Sequence, residues 1–195
     1  MFAGMIGKSA VLLSGLAAVS LCFAEPAFTM RIDDNHSPAD WMRVADIFER
    51  RGVKVSFAVV SAGLSESQGK CLKQLADRGH EFGYIGADSH VNAKQGDNRW
   101  STGFDKMVFF DQGPDYTPEG LVDDIQKALA AGRYHVLLSH MWGRKLKGGK
   151  DEWFEKTDRF AQLLADRKVP TMTMGQSLEA RFGKSEKQVS SMGKN

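Results

Sequence analysis

Phe28-Thr29-Met30-Arg31-Ile32-Asp33-Asp34-Asn35-His36-Ser37-Pro38 joins an apolar segment to the start of a helix, with two adjacent carboxylates at the junction. A strand-to-helix junction of this kind points polar side chains out of the top of an α/β sheet or barrel, where such folds place their chemistry. An acidic pair there can divide the labour, one carboxylate holding a metal and the other acting as a base. Helix capping is the plainer use for such residues. Ser37, followed by Pro38 and by Asp40 in the first turn, already fills that role. Asp33 and Asp34 are therefore read as functional.

Outward from this junction, strands and helices alternate. Ala27 to Asp33 reads as a buried strand, and Trp41, Val44, Ala45 and Phe48 place one apolar face on a helix over 38–51 that Gly52 closes. Val53, Val55, Phe57 and Val59 alternate along a second strand; a helix over 66–78 ends at Gly79, and a short strand covers Glu81 to Ile85. Residues 91–105 are polar and irregular, and Met107 to Phe110 reads as a strand. Thr117-Pro118-Glu119 opens the next helix, Tyr134 to Ser139 forms a strand, 151–167 a helix, and Val169 to Met172 a last strand. Thr173 and Gln176 form a capping box for the final helix. Six strands alternating with helices predict a parallel α/β fold. Neither an internal repeat nor a second core is visible.

The chain has 195 residues, 42% of them hydrophobic, which is enough for one domain with a real core. A formal charge of +2 gives no footprint for nucleic acid. Residues 1–24 read as an export signal: Lys8, the apolar small-residue run Ala10 to Ala18, and Cys22-Phe23-Ala24 as a cleavage site. The apolar run is shorter than the ~20 residues that a spanning helix needs, so no stable membrane span is expected and the product is periplasmic or extracellular. Cleavage after Ala24 would leave Cys71 as the lone cysteine, a small buried hydrophobe on a helix. The domain proper covers 25–183, and 184–195 form a charged, frayed tail.

Chemistry-bearing residues fall after strand ends. Asp33 and Asp34 end the first strand, His90 follows the third, Asp111 the fourth and His140 the fifth. In a parallel sheet those loops converge on one rim. His80 precedes its strand, on the opposite rim, and reads as a helix-end cation. Trp142 beside His140 could stack on a sugar ring or serve as a rim aromatic. Asn35-His36 could touch substrate or simply form the helix-entry turn, and Lys145, Lys147 and Lys150 with Gly148-Gly149 form a solvated loop.

These stretches together resemble the NodB-type polysaccharide deacetylases. Met30-Arg-Ile-Asp-Asp34 resembles that family's first motif, Leu75-Ala-Asp-Arg-Gly-His-Glu-Phe-Gly83 the approach to its second, and Tyr134-His-Val-Leu-Leu-Ser-His-Met-Trp142 its last. The resemblance implies a deformed or incomplete (β/α) barrel of parallel strands and a divalent metal, zinc by expectation. It implies hydrolysis of acetyl groups from an N-acetylated polysaccharide, a carbon–nitrogen bond that is not a peptide bond. Asp33 would then be the general base, His140 the general acid, and Asp34 and His90 metal ligands.

Departures from the pattern are equally specific. Ile85 or Gly86 stands where a second motif histidine is expected, which leaves Asp88 as the substitute ligand beside His90, ahead of Asp111 or His36. The Arg-x-Pro motif that orients the base is absent, since none of the five prolines has arginine two residues before it. The middle of the chain is short, as if one or more barrel strands were missing. Three readings follow: an exported metal-dependent hydrolase, a non-catalytic glycan- or protein-binding relative without a complete metal site, and a shortened derivative that folds poorly.

Overall fold

Two kinds of residue alternate along the buried first strand, β1 (Phe28–Asp33), and this alternation divides the molecule into layers. A computed structural model describes residues 25–60, 62–85, 106–107, 116–144 and 146–182. The strands are β1, β2 (Val55–Val60), β3 (Glu81–Ile85), β4 (Lys106–Met107) and β5 (His135–Ser139). They form one sheet in the order β3-β2-β1-β5-β4, and every pairing is parallel. The helices are α1 (Pro38–Glu49), α2 (Glu66–Asp77), α3 (Pro118–Ala130), α4 (Gly149–Asp166) and α5 (Met174–Phe182). The α/β expectation holds, in the form of an open parallel sheet whose edge strands among the described residues are β3 and β4. The expected leader 1–24, the tail from 184 onward, and His90, Asp88 and Asp111 lie outside the described residues.

Register assigns each side chain to a face, because paired residues in parallel strands point the same way. One face carries Phe28, Met30 and Ile32 with Val55, Phe57, Val59 and Leu137. The amphipathic faces of α1 to α4 bury Trp41, Phe48, Leu72, Leu75, Ile125, Trp153 and Phe160 against it in one core cluster. The other face carries Thr29, Arg31 and Asp33 with Ser56, Ala58, Glu81 and Gly83. Val136 and Leu138 share this face, so it mixes small and polar residues with an apolar strip along β5. Among the described residues α5 lies over this inner face, in a small cluster of Met174 and Leu178 with Ala58 and Val136.

Polar contacts aimed at its N-terminus hold α5 there. Met174 N donates to Ser56 Oγ (2.7 Å) and Gly175 N to Glu81 Oε2 (2.7 Å), so two strands satisfy helix-end donors that would otherwise be buried without partners. The expected capping box is present as well, with Thr173 N donating to Gln176 Oε1 and Gln176 N to Thr173 Oγ1. Burial pushes the Glu81 carboxyl above its ordinary range, against the pull of these hydrogen bonds. The strand expected over Val169 to Met172 is reduced to one bridge between Thr171 and Phe28. Pro170 offers a carbonyl to Phe28 N but has no N–H to extend a ladder, and Thr173 already turns into α5.

His80 departs from its expected role. It is buried rather than solvated, and Val55 N donates to its Nδ1 at 3.1 Å, which satisfies the first donor of β2. Burial is the main cause that lowers its pKa to about 4, so at neutral pH it is an acceptor and not a helix-end cation.

Two predictions follow from these contacts. A Cβ on Gly175 would overlap Glu81 Oε1, and that carboxylate cannot swing away without releasing Gly175 N. Gly175→Ala should therefore cost about 1–3 kcal/mol in urea unfolding; no change would mean that the Glu81 anchor is dispensable. For His80, the folded pKa lies below the unfolded value of 6.5. Its contribution is thus complete above pH 6.5 and is lost as pH falls from there toward about 4. His80→Gln should flatten the decline in stability measured between about pH 7 and about pH 4.5, and an unaltered slope would refute the assignment.

Candidate active site

At the C-terminal end of β1 the chain leaves the sheet through Asp34, whose φ of 74° lies in the left-handed region. Aspartate tolerates that region better than most residues, and non-glycine residues held there concentrate at functional sites. The turn sends the two neighbouring carboxylates different ways. Asp33 keeps the strand's alternation and faces inward, 3% exposed. Asp34 points to the rim, its side chain 30% exposed, while its backbone N–H still donates to Ala58 O at 3.0 Å.

Three side chains fasten this turn. Asn35 Nδ2 donates to Val60 O (2.9 Å), and Val60 N donates to Asn35 Oδ1 (3.0 Å), so the amide stands in for a backbone partner at the end of β2. Of the two uses foreseen for Asn35-His36, the structural one is what these contacts show. His36 Nε2 lies 3.0 Å from Asp33 O and 3.5 Å from Met141 N. One nitrogen cannot both donate to the carbonyl and accept from the amide, so the tautomer selects one of these two contacts. Gln68 Nε2, from the capping box of α2, donates to His36 O at 2.8 Å. Burial is the leading cause that lowers the His36 pKa, in keeping with a neutral ring that braces the turn.

His140 follows β5 directly and meets Asp34 across the strand ends, with Nε2 and Oδ2 3.5 Å apart. The expectation that the first and fifth strands present their ends to a common rim is met by this pair. Burial first, and then the positive charge of Arg31, lower the His140 pKa to about 4. The contact with Asp34 is therefore one between a neutral imidazole and a carboxyl at physiological pH, despite its ion-pair geometry. Burial also raises the Asp34 pKa, opposed by His36 and Arg144. Trp142 stacks on His140 with centroids 4.3 Å apart and planes 20° apart, and the Arg144 guanidinium lies 4.5 Å from the Trp142 centroid. Trp142 is 39% exposed, so the stack forms an accessible flat rim next to the Asp34–His140 pair.

Arg31 is the residue that sequence reasoning passed over. Its Nε and Nη2 donate to Asp33 Oδ1 and Oδ2, both at 2.6 Å, and the guanidinium is 1% exposed. Alternation could have revealed it, since residues two apart on a strand share a face and a buried arginine needs a carboxylate. Among the described residues no group of three or more His, Cys, Asp or Glu stands close enough to hold a metal ion. Asp34 is the one expected ligand within the described residues, and His36 is engaged with the β1 backbone instead. A groove of about 1090 Å³ between α1 and α4, lined by Arg50, Arg78, Phe154 and Asp158, lies on the helical side and holds none of these residues.

No protein-family model matches the chain, and no curated protein matches its sequence. Solved structures match it in shape. The Xyl-CE4 domain of a multidomain xylanase from the hindgut metagenome of Trinervitermes trinervoides aligns with a TM-score of 0.52 at 14% identity, over 80% of this chain and 91% of that one. The peptidoglycan deacetylase PdaC from Bacillus subtilis aligns with a TM-score of 0.52 at 14% identity, over 87% of this chain and 98% of that one. A family 4 acetyl xylan esterase from Clostridium thermocellum, in complex with a cobalt ion, aligns with a TM-score of 0.50 at 14% identity, over 81% and 96%. At such identities the likeness establishes a fold. The fold is that of the NodB-type, family 4 deacetylases, in an open version.

Asn35→Ala would strand both the N–H and the C=O of Val60, a loss of about 1–3 kcal/mol. Chemical denaturation should register that loss. Stability equal to wild type would show that the Asp34 turn is held by other means.

Proposed function

We propose that the chain is an exported NodB-like hydrolase that removes acetyl groups from an N-acetylated polysaccharide at the rim between β1 and β5. The observation that carries this reading is the meeting of Asp34 and His140 from two strand ends, 3.5 Å apart, beside an exposed Trp142. Amide hydrolysis needs a group that takes a proton from water and one that returns a proton to the departing nitrogen. Asp33 and His140 are the candidates for these two tasks. Asp33 would take the proton from the attacking water, and His140, held neutral at rest by burial, would have to take up a proton from solvent before giving one to the amine. Trp142 offers an apolar face to a sugar ring. Asp34, with Asp88 and His90, would hold the divalent ion, zinc by expectation, whose charge polarises an acetyl carbonyl. Family 4 neighbours support this reading through their fold, and one of them was solved with a cobalt ion. No helix among the described residues is long and apolar enough to cross a membrane.

One observation is shared by a second reading, a non-catalytic glycan-binding relative. Arg31 engages both oxygens of the buried Asp33, which suits a fixed scaffold beneath a glycan-binding rim as well as it suits a base.

Acetate release from N-acetylchitohexaose and from peptidoglycan, with added zinc, separates the two readings. The hydrolase reading expects turnover that a chelator abolishes, a fall in kcat of about 10²–10⁴-fold in His140→Ala, and a higher KM in Trp142→Ala. Sugar binding without acetate release from either substrate would leave the chain a non-catalytic relative.

A further inference from the structure

We propose that Arg31 is the positioning residue for Asp33, supplying from within β1 the guanidinium that fixes the orientation of the carboxylate; this assignment rests on the hydrolase reading above. Both side chains leave β1 on its inner face, and the register places Ser56 and Leu138 beside Arg31 and Ala58 beside Asp33. Small neighbours on β2 leave room for a guanidinium to lie along the sheet. The two parallel hydrogen bonds, Nε to Oδ1 and Nη2 to Oδ2 at 2.6 Å each, set the plane of the carboxylate as well as its distance. Each carboxylate oxygen can accept a second hydrogen bond, so the grip orients Asp33 without exhausting it as an acceptor.

Stability alone is a weak reason to bury such a pair, because well-packed apolar residues of similar volume commonly serve as well. Its location suggests more. Asp33 is the last residue of β1, one residue before the turn that brings Asp34 to His140. Its carbonyl is held by His36, so backbone and side chain are fixed separately. Arg31 thus places a guanidinium on the Asp33 carboxylate itself.

Steady-state kinetics of the full chain on N-acetylchitohexaose with added zinc test the assignment. Arg31→Met should lower kcat by about 100-fold, the scale of a small misplacement of a reacting group, and leave KM within about threefold. Arg31→Lys keeps the charge but not the fork, and should recover about tenfold of that loss. In an Asp33→Asn background, adding Arg31→Met should change kcat by less than about twofold, because two residues that act through one group are not additive. If circular dichroism shows Arg31→Met unfolded, Arg31→Lys and the Asp33→Asn/Arg31→Met double variant carry the test. Folded Arg31→Met with wild-type kcat, or a full additional loss on top of Asp33→Asn, would overturn the assignment and leave the hydrolase reading standing. A wild-type chain that releases no acetate would overturn both.

Discussion

The structure depends on burying a single strand on both faces while those faces meet different surroundings. β1 lies centrally between β2 and β5, and its period of two gives Phe28, Met30 and Ile32 to the helices and Thr29, Arg31 and Asp33 to the interior. The apolar set nucleates the principal core, in which Phe28 meets Phe160 edge-on at 5.7 Å. Arg31 and Asp33 cannot be buried without partners, since an arginine and a carboxylate each lose their hydration inside a protein. Their mutual pairing resolves that demand, and the same pairing sets the orientation of the residue that ends the strand. Core formation and site geometry thus share one segment of six residues.

An open sheet raises a further demand. A closed barrel covers its inner face by curvature, whereas an open one must cover that face with another element. Among the described residues α5 performs the task, with polar contacts at its N-terminus and apolar ones along its length. Glu81 and Ser56 accept the first N–H groups of the helix, while Met174 and Leu178 fill the space above Ala58 and Val136. A buried carboxylate at a helix N-terminus is favoured by the helix dipole and by direct hydrogen bonding. Anchor and rim lie toward opposite ends of the strands: Glu81 begins β3, and Asp34 and His140 follow the ends of β1 and β5. The cover can therefore be fastened without intruding on the rim.

Legibility in the sequence followed the range of the interactions concerned. The alternation of strands and helices, the Ser37 and Thr117 caps and the Thr173–Gln176 box were readable because each is set by residues within one turn. Asp34 and His140 could be placed on one rim because parallel strands share direction, although their contact depends on register that no local pattern encodes. His80 was misread for the same reason. Its partner, Val55 N, lies 25 positions away, and nothing near His80 announces that it is buried. The last strand was overestimated where Pro170 interrupts a run of β-formers. Arg31 lay closest to view and was still missed, because a charge in a strand reads as exposed until both faces of that strand are known to be covered.

Rim and interior also differ in how much room they leave for change. Asp33 is gripped by Arg31 and its backbone by His36, so any substituent there must satisfy a buried guanidinium. Asp34 and His140 are held by a left-handed backbone, the Asp34 N–H on Ala58 O, a 3.5 Å contact and a stack on Trp142. A neutral imidazole and a desolvated carboxyl tolerate each other's protonation states better than two fixed charges would. The sheet thus fixes Asp33 within β1 and leaves Asp34, one residue later, at the rim beside His140.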